Sequence, residues 1–341
     1  MQNSKSTNSV AALKPPAIST SAERGGLINK SVLAAIVLLL IALLAPLAWP
    51  WLKTPVIVGT SFGIAALGVS ILIRGGQMSF GHAMFACVGG YAVAFASRQW
   101  AQLDSAVLLV LGTLCGALFG SVIGLFVVRY RGIFFGMMNL ALSMVLFSIL
   151  GKLFSLTGGT DGMEVARSTF LGLRLERDGF ETALLFTTIS LALALGILVQ
   201  RYLKSVAGQA LSSIKTNEIR LEYIGLSAYR VLWIGYVISA ALCGLAGAIF
   251  ALAQGHVTPE MGYWVRSGEF VFIAILGGVS DPLGAFLGAT IFELVKLFSA
   301  AYLTGAWQMV LGFTLIAMVF FAPLGISGLI NRKSARKEKS S

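Results

Sequence analysis

"SAVLLVLGTLCGALFGSVIGLFVV", residues 105–128, runs for 24 positions without a charge and stops just before Arg129 and Arg131. As an α-helix it is about 36 Å long, enough to cross a hydrocarbon layer of about 30 Å. Its apolar residues are continuous rather than alternating, which argues against a barrel strand. The composition repeats the message at the scale of the chain: 57% of residues are apolar and 11% charged, against about 25% charged in an ordinary soluble domain. A length of 341 residues would accommodate two soluble domains of about 150 residues each. The uncharged runs of roughly 18 to 25 residues instead specify an all-α polytopic membrane protein. The 39 glycines lie largely inside these runs, where small residues let membrane helices pack closely.

Hydropathy and breaker residues place about ten spans at 32–50, 56–73, 78–97, 105–128, 133–156, 181–200, 229–253, 268–279, 282–300 and 306–328. The eighth is short for a full crossing and ends at Gly277-Gly278, so a tilted or re-entrant helix is expected there. With ten spans and both termini in the cytoplasm, the inner segments hold Lys5, Lys14, Arg24, Lys30, Arg74, Arg129, Arg131, Arg201, Lys204, Lys215, Arg220, Arg230 and the five basic residues of 332–339. That is 17 of the 25 Lys and Arg residues, as the positive-inside rule requires. Nine spans would put the basic tail outside. Membrane orientation therefore accounts for the net charge of +11, and no nucleic-acid partner is implied. Residues 1–30, rich in Ser, Asn, Lys and Pro without apolar periodicity, are expected to form a disordered cytoplasmic tail. Residues 31–330 form the transmembrane domain and 331–341 a basic cytoplasmic tail. The run after Ser31 is longer than a signal-peptide core and no small-x-small site follows it, so it is read as a retained first span.

The chain has no G-x-x-x-x-G-K-[ST] loop, since Gly151-Lys152 lacks both the upstream Gly and the following hydroxyl residue. It therefore has no phosphate loop with which to hydrolyse ATP. No H-E-x-x-H, G-x-S-x-G or Cys/His cluster appears. The cysteines Cys87, Cys115 and Cys243 read as small packing residues. An intramembrane enzyme thus has no nucleophile or metal motif behind it. A self-sufficient secondary carrier would place ionisable groups mid-span; of the acids, only Glu269 and Glu293 lie inside the expected helices, both toward the outer end.

Between the sixth and seventh spans, "GQALSSIKTNEIRLEYIGLSA" (208–228) carries two acids and two bases. Leu211, Ile214, Leu221 and Ile224 recur at helical spacing, Gln209, Ser213, Thr216 and Arg220 form another face, and Gly225 offers a C-cap. By pattern this is an amphipathic helix, either on the inner membrane surface or docked in a groove of a cytoplasmic partner. "GGQMSFGHAMF" (75–85) combines glycines with Gln77, Ser79 and His82, polar groups that are expensive in a membrane unless paired or facing a cavity. Packing hinge and pathway lining are both open on these residues. "TGGTDGM" (157–163) is a glycine turn with Asp161, expected outside. In "SGEFVFIAILGG" (267–278), Glu269 is either a pathway residue or an acid favoured at a helix start.

The 208–228 stretch resembles the cytoplasmic coupling loop of permease subunits of ATP-binding-cassette (ABC) importers. The family is the branched-chain amino acid one, and the likeness is to its M-type subunit of the leucine/isoleucine/valine system. Its pattern, approximately G-x-A-x-x-A-I-R-x-N-E-x-A-A-E-x-x-G-I, is met at Gly208, Ala210, Ile214, Asn217, Glu218, Glu222 and Gly225. Lys215 stands where Arg is usual, and Arg220 and Leu221 replace two alanines. The three other stretches resemble G-Q-x-S-x-G-H-A-x-F, T-G-G-x-D-G-[LI] and S-I-E-I-L-x-x-V-x-L-G-G of the same family. The resemblance covers most of 32–330.

It implies an importer permease fold in a bacterial inner membrane, moving branched-chain or related apolar amino acids. The coupling loop at 201–228 would receive motion from ATPases through Gly208, Ala210, Ile214, Lys215, Asn217, Glu218, Glu222 and Gly225. Gln77, Ser79, His82, Thr157, Asp161 and Glu269 are the pathway candidates. The implied partners are a second homologous permease subunit, two cytoplasmic ATPase subunits, an external solute-binding protein and the lipid bilayer. ATP and magnesium would be bound by the ATPases, with no cofactor on this chain. A urea or short-amide importer permease is the alternative of the same class.

Overall fold

The run at 105–128 forms a helix whose surface divides along its length. Leu108, Gly112, Gly116, Gly120 and Gly124 are buried, while Val107, Val110, Leu114, Leu118 and Val122 are exposed. Both faces are apolar, so burial here is decided by size: the glycine stripe meets protein and the bulky residues face outward, where lipid solvates them at no cost.

In this computed structural model the described residues are 30–100, 103–170, 172–279, 282–302, 307–321 and 325–326. The helices are α1 (Lys30–Ala48), α2 (Lys53–Arg74), α3 (Ala83–Gln99), α4 (Ser105–Val127), α5 (Gly132–Lys152), α6 (Phe154–Thr157) and α7 (Arg177–Lys204). They continue with α8 (Val206–Ile214), α9 (Glu218–Tyr223), α10 (Ala228–Gln254), α11 (Trp264–Gly277), α12 (Gly284–Tyr302) and α13 (Trp307–Phe321). Two short strands, β1 (Met163–Glu164) and β2 (His256–Val257), pair antiparallel. Five helical stretches are long and apolar enough to cross a membrane: Pro50–Arg74, Ser105–Val127, Gly132–Lys152, Arg177–Lys204 and Ala228–Gln254. The chain is a helical, multi-pass membrane protein. The expected tails at 1–29 and 331–341 lie outside the described residues.

The centre of the bundle is α10, packed against α2, α3 and α4. Glycines bring these backbones together. A Cβ on Gly247 would stand 1.8 Å from the Ala86 carbonyl oxygen of α3, and one on Gly89 2.2 Å from that of Gly244. On the α4 side, a Cβ on Gly116 would meet the Gly244 Cα at 2.8 Å and one on Gly120 the Ala240 Cβ at 2.2 Å. Contacts this close leave no room for a methyl group, and they supply the dispersion energy that replaces a hydrophobic driving force inside lipid.

The expected elements differ from the observed ones at four places. The stretch 208–228 is two helices, because Asn217 leaves helical geometry (φ −162°) and its side chain accepts from the Arg220 N–H to start α9. The span expected at 133–156 ends at Lys152 and is followed by the single turn α6. The span expected at 78–97 starts only at Ala83; residues 77–81 are irregular, with a bend at Phe80. The eighth, expected at 268–279, begins earlier, at Trp264, and runs to Gly277.

That last pair of segments is related. α10 is followed by residues 255–263, which lie along α3: Gly262 sits against Cys87 and Met84, and Val257 and Met261 against Gly90. Residues 75–82, after α2, lie along α5: a Cβ on Gly81 would be 2.1 Å from the Asn139 carbonyl oxygen. Each segment turns into a short helix in the interior, and the two helix starts meet, the Ala83 N–H donating to Ser267 Oγ at 2.9 Å. From there α3 leads to the end of the molecule where Ser105 bonds Thr169 and Lys53 pairs with Asp178. α11 leads to the opposite end, where the Arg74 Nε–H donates to the Val279 carbonyl at 2.9 Å.

Substituting Gly247→Ala is expected to force α10 away from α3 and destabilise by about 1–3 kcal/mol, the usual cost of overpacking. Gly312→Ala, with nothing within 4 Å of the added Cβ, should leave stability unchanged. Thermal unfolding of both variants in detergent checks the difference, and equal melting would contradict backbone contact as the packing device.

Candidate functional site

Polar side chains in the interior form a connected seam. Ser79 and His82 are fully buried and bonded to each other, Oγ to Nδ1 at 2.5 Å. The His82 ring meets Phe85 and Tyr236 edge-on. The Tyr236 hydroxyl donates to Asn139 Oδ1 at 2.5 Å, and Asn139 Nδ2 donates to the Phe135 carbonyl at 2.8 Å. Ser143 Oγ donates to the Gly262 carbonyl at 2.5 Å, tying α5 to the segment before α11. His82 Nε2 is the exception, buried without a hydrogen-bond partner among the described residues. Two backbone groups outside the α-helices are paired by it, the Gly262 carbonyl with Ser143 and the Gly81 N–H with Ser79.

Gln77 is placed differently from Ser79 and His82. Its Oε1 accepts from the Gly132 N–H at 2.9 Å, which fixes the start of α5 at the end of the molecule where Arg131 lies. Thr157 and Asp161 sit at the other end. The Thr157 hydroxyl donates within reach of the Leu150 and Leu153 carbonyls, at 2.6 and 2.9 Å. Gly158, Gly159 and Gly162 have φ of 73°, 63° and 78°, a left-handed run only glycine adopts without strain. The turn lays β1 on β2, and the Asp161 carbonyl meets His256 Nε2 at 2.7 Å. "TGGTDGM" thus braces residues 256–262 from outside, and Asp161 itself is exposed. It does not join the seam.

Glu269 belongs to a charged group around Phe62. It is buried (8% exposed) and paired with Arg266 at 2.8 Å, one turn earlier on α11. The Arg266 guanidinium carbon and Lys296 Nζ each lie 5.4 Å from the centroid of the Phe62 ring. Glu293 lies one turn before Lys296 on α12, against Gly59 of α2. Arg266, Phe62, Lys296 and the Tyr236–Asn139 pair were absent from the sequence candidates. The signal for Asn139, Arg266 and Lys296 was present as single polar residues in or beside apolar runs; for Phe62 and Tyr236 there was none. Among the described residues no three His, Cys, Asp or Glu side chains converge as a metal site.

The 201–228 loop lies at the end of the molecule marked by Arg74 and Arg131. Gly208 makes its first corner, since a Cβ there would stand 2.4 Å from the Tyr202 carbonyl oxygen. Ala210, Leu211, Ile214 and Leu221 are buried, whereas Ile224, expected on the same face, is 71% exposed. The break at Lys215–Asn217 turns α9 and separates Ile224 from the stripe. Leu211 enters a socket made by Gly75 and Gly235, with Cδ1 3.1 Å from a Cβ built on Gly75. Lys215 lies over Gly76, its Cγ 3.1 Å from a Cβ built there. Glu218 takes Arg131 in a two-point bond, 2.7 and 3.1 Å, and Arg131 also donates to the Val128 carbonyl. Gly225, with φ 81°, closes α9, and the Leu226 N–H reaches back to the Leu221 carbonyl at 3.2 Å. Glu222 is exposed. The exposed large apolar side chains of the loop are Val206 (76% exposed) at the start of α8 and Ile219 (64%), Tyr223 (86%) and Ile224 (71%) of α9 and its end; the i, i+4, i+5 spacing of the last three was legible in the sequence.

The described residues form a multi-pass helical bundle with a polar interior seam and a charged loop at one end, the architecture of a membrane permease. The family described as "branched-chain amino acid transport system / permease component" matches residues 52–319, and the chain belongs to it. It is 26% identical over 326 residues to the high-affinity branched-chain amino acid transport system permease protein LivM of Salmonella typhimurium, covering 85% of this chain and 74% of that one. The LivM of Escherichia coli K12 matches with the same identity and coverage. It is also 27% identical over 292 residues to the permease protein LivH of Salmonella typhimurium, covering 80% and 93%. No solved structure matches.

Tyr236→Phe removes the donor to Asn139 and is expected to lower stability by about 1 kcal/mol, the order of a hydrogen bond inside a bilayer-embedded bundle. The double variant Tyr236→Phe/Asn139→Leu should recover part of that loss, because no buried acceptor is then left unpaired. Thermal unfolding of the two variants measures both.

Proposed function

We propose that this chain is the membrane-spanning subunit of an ATP-driven importer for branched-chain or related apolar amino acids, in a bacterial plasma membrane. The chain crosses about ten times, with both termini, the tails 1–30 and 331–341, and the 201–228 loop in the cytoplasm. A second, homologous permease subunit completes the pathway. That reading is supported by the similarity of this one chain to relatives named both LivM and LivH. Two cytoplasmic ATPase subunits bind ATP and magnesium, and an external solute-binding protein delivers the amino acid.

The observation that carries the reading is the two-sided build of α8 and α9. Their inner side is keyed into α2 and α10 by Leu211, and into the α4–α5 turn by the Glu218–Arg131 pair. Their outer side offers Ile219, Tyr223 and Ile224, an apolar surface of the kind an α-helix lays into a groove. A push on that surface moves helices that pack backbone to backbone, so the displacement is transmitted rather than absorbed. ATP-driven closure then changes the balance between outward- and inward-open states through differential contacts. The residues matched by the family pattern mostly shape this unit: Gly208, Ala210 and Ile214 face inward, Asn217 caps α9, and Gly225 ends it.

A second reading, a carrier driven by an ion gradient, is favoured by one observation, the charged group of Arg266, Glu269, Glu293 and Lys296 inside the bundle. Uptake by this polypeptide alone in proteoliposomes under an ion gradient, without ATP, would support it over the first.

Ile219→Asp and Tyr223→Ala are expected to abolish substrate-stimulated ATP hydrolysis by the assembled transporter while membrane insertion and melting stay as in the wild type. Glu218→Lys puts a cation against Arg131 and should uncouple as well. Stimulated ATPase activity in proteoliposomes is the readout, and full stimulation in all three variants would defeat the docking assignment.

A further inference from the structure

A polar cleft lies at the end of the bundle away from the 201–228 loop, between the start of α7 and the end of α10. It holds about 250 Å³ of free space. A single water needs about 10–15 Å³ by the same measure, so a charged group of several heavy atoms fits. Arg167, Arg177, Glu181 and Gln254 are its polar side chains, with Phe180 and Leu252 among the apolar ones. Arg167, Arg177 and Gln254 are exposed, so the cleft is reached from outside the bundle. It shares no residue with the polar seam or with the charged group around Phe62.

The charges of this lining do not balance. Arg177 Nε donates to Glu181 at 2.9 Å, which cancels one pair and leaves the terminal nitrogens of the guanidinium without a partner among the described residues. Arg167 has no hydrogen bond or ion pair among the described residues. The neighbouring Asp178 is taken by Lys53 at 2.6 Å, and the exposed Arg174 and Glu176 offset each other. One positive charge of the lining therefore stays uncompensated. The positive-inside rule accounts for the basic residues around the 201–228 loop, but it gives no reason for arginines at the opposite end.

The cleft stands at the level where the chain leaves the membrane. Arg177 is the first residue of one membrane-crossing stretch and Gln254 the last of another. The exposed Trp51 precedes Lys53, which pairs with Asp178, and the exposed Trp100 precedes Asp104, which accepts from the Gly172 N–H. Exposed tryptophans gather at a membrane–water interface. We propose that this cleft binds the phosphodiester of an anionic phospholipid of the phosphatidylglycerol class. The phosphate oxygens bridge Arg167 and the terminal nitrogens of Arg177, since planar guanidinium groups hold phosphate through paired hydrogen bonds. The single negative charge of the lipid meets the single uncompensated positive charge of the lining, and Gln254 supplies an amide for the glycerol hydroxyls. The bound lipid joins α7 to α10, and α7 runs about 42 Å from there to the loop of α8 and α9. The proposal needs the chain to span a membrane and is independent of which solute is moved.

The test isolates the protein, with the subunits that accompany it, in mild detergent from membranes holding both phosphatidylethanolamine and phosphatidylglycerol. Mass spectrometry then measures the ratio of the two lipids retained. The wild type is expected to retain phosphatidylglycerol about fivefold above its share of the membrane, the weight of one basic residue at an anionic surface. Arg167→Gln should return the ratio to that of the membrane, and Arg167→Lys should keep part of the enrichment. Glu181→Gln makes the cleft more positive and should raise the enrichment above the wild type. Breaking the exposed Arg177–Glu181 pair costs little stability, so all variants should melt like the wild type. No enrichment in the wild type, or an unchanged ratio in Arg167→Gln, overturns the site. A fall in Glu181→Gln overturns it too, because charge then does not set the preference. Loss of docking by an acidic external protein in Arg167→Gln, with lipid retention unchanged, gives the cleft to a protein partner and overturns the lipid.

Discussion

Backbone-to-backbone contact around α10 is the constraint on which the rest depends. Lipid tails are as apolar as leucine, so burying leucine between helices gains little relative to leaving it in the membrane. What is gained comes from close approach, and close approach needs glycine. Gly112, Gly116, Gly120 and Gly124 on α4, Gly89 on α3, and Gly244 and Gly247 on α10 meet at distances where a methyl group would overlap a carbonyl oxygen or a facing backbone or side-chain carbon. A kernel packed this tightly has few intermediate arrangements, and motion entering at one end emerges as displacement of whole helices.

That rigidity allows the interior to hold backbone outside regular α-helix, including the 3-10 turn Pro259–Gly262. Residues 75–82 and 255–263 enter from opposite ends and would leave amide groups unpaired in hydrocarbon. Within them the Gly81 N–H donates to Ser79 Oγ and the Gly262 carbonyl accepts from Ser143, while Gln77 and Ser267 pair the first N–H groups of α5 and α3. The "TGGTDGM" turn contributes from outside by holding β1 against β2. The motif thereby braces the segment that precedes α11.

The same kernel joins the two regions of chemical interest. Phe62 and Arg74 are both on α2, about 18 Å apart along the helix axis. One end of α2 lies beside Lys215 and Leu211, and its middle carries Phe62, over which Arg266 and Lys296 lie. α10 does likewise, with Gly235 against Leu211 and Phe250 stacked on Phe62. Two helices thus span from the loop that presents Ile219 and Tyr223 to the charged group around Phe62. In the function proposed above, motion would pass between them by rotation or translation of α2 and α10 as rigid bodies.

The sequence by itself determined that the chain is a helical membrane protein, where its apolar runs lie, which segment is the charged loop between spans, and which family it resembles. Those properties follow from hydropathy and local spacing, which act along the chain. Even the glycine stripe of 105–128 was written there at four-residue intervals, though its partner was not. Only the tertiary structure decided that Asn217 splits the loop into two helices, that Gln77 caps α5 while Ser79 and His82 join Tyr236 and Asn139, and that Glu269 faces Arg266 beside Phe62. The Asn217 cap and the Arg266–Glu269 pair are themselves local, but the place of Gln77 on Gly132, of His82 on Tyr236 and of Arg266 over Phe62 depends on residues brought together from distant helices. In a membrane, an apolar side chain is equally content against lipid or protein, so hydrophobic pattern marks the helices without saying which faces meet. Glycine placement and the need to pair each buried polar group make that choice, and both act only once the helices are side by side.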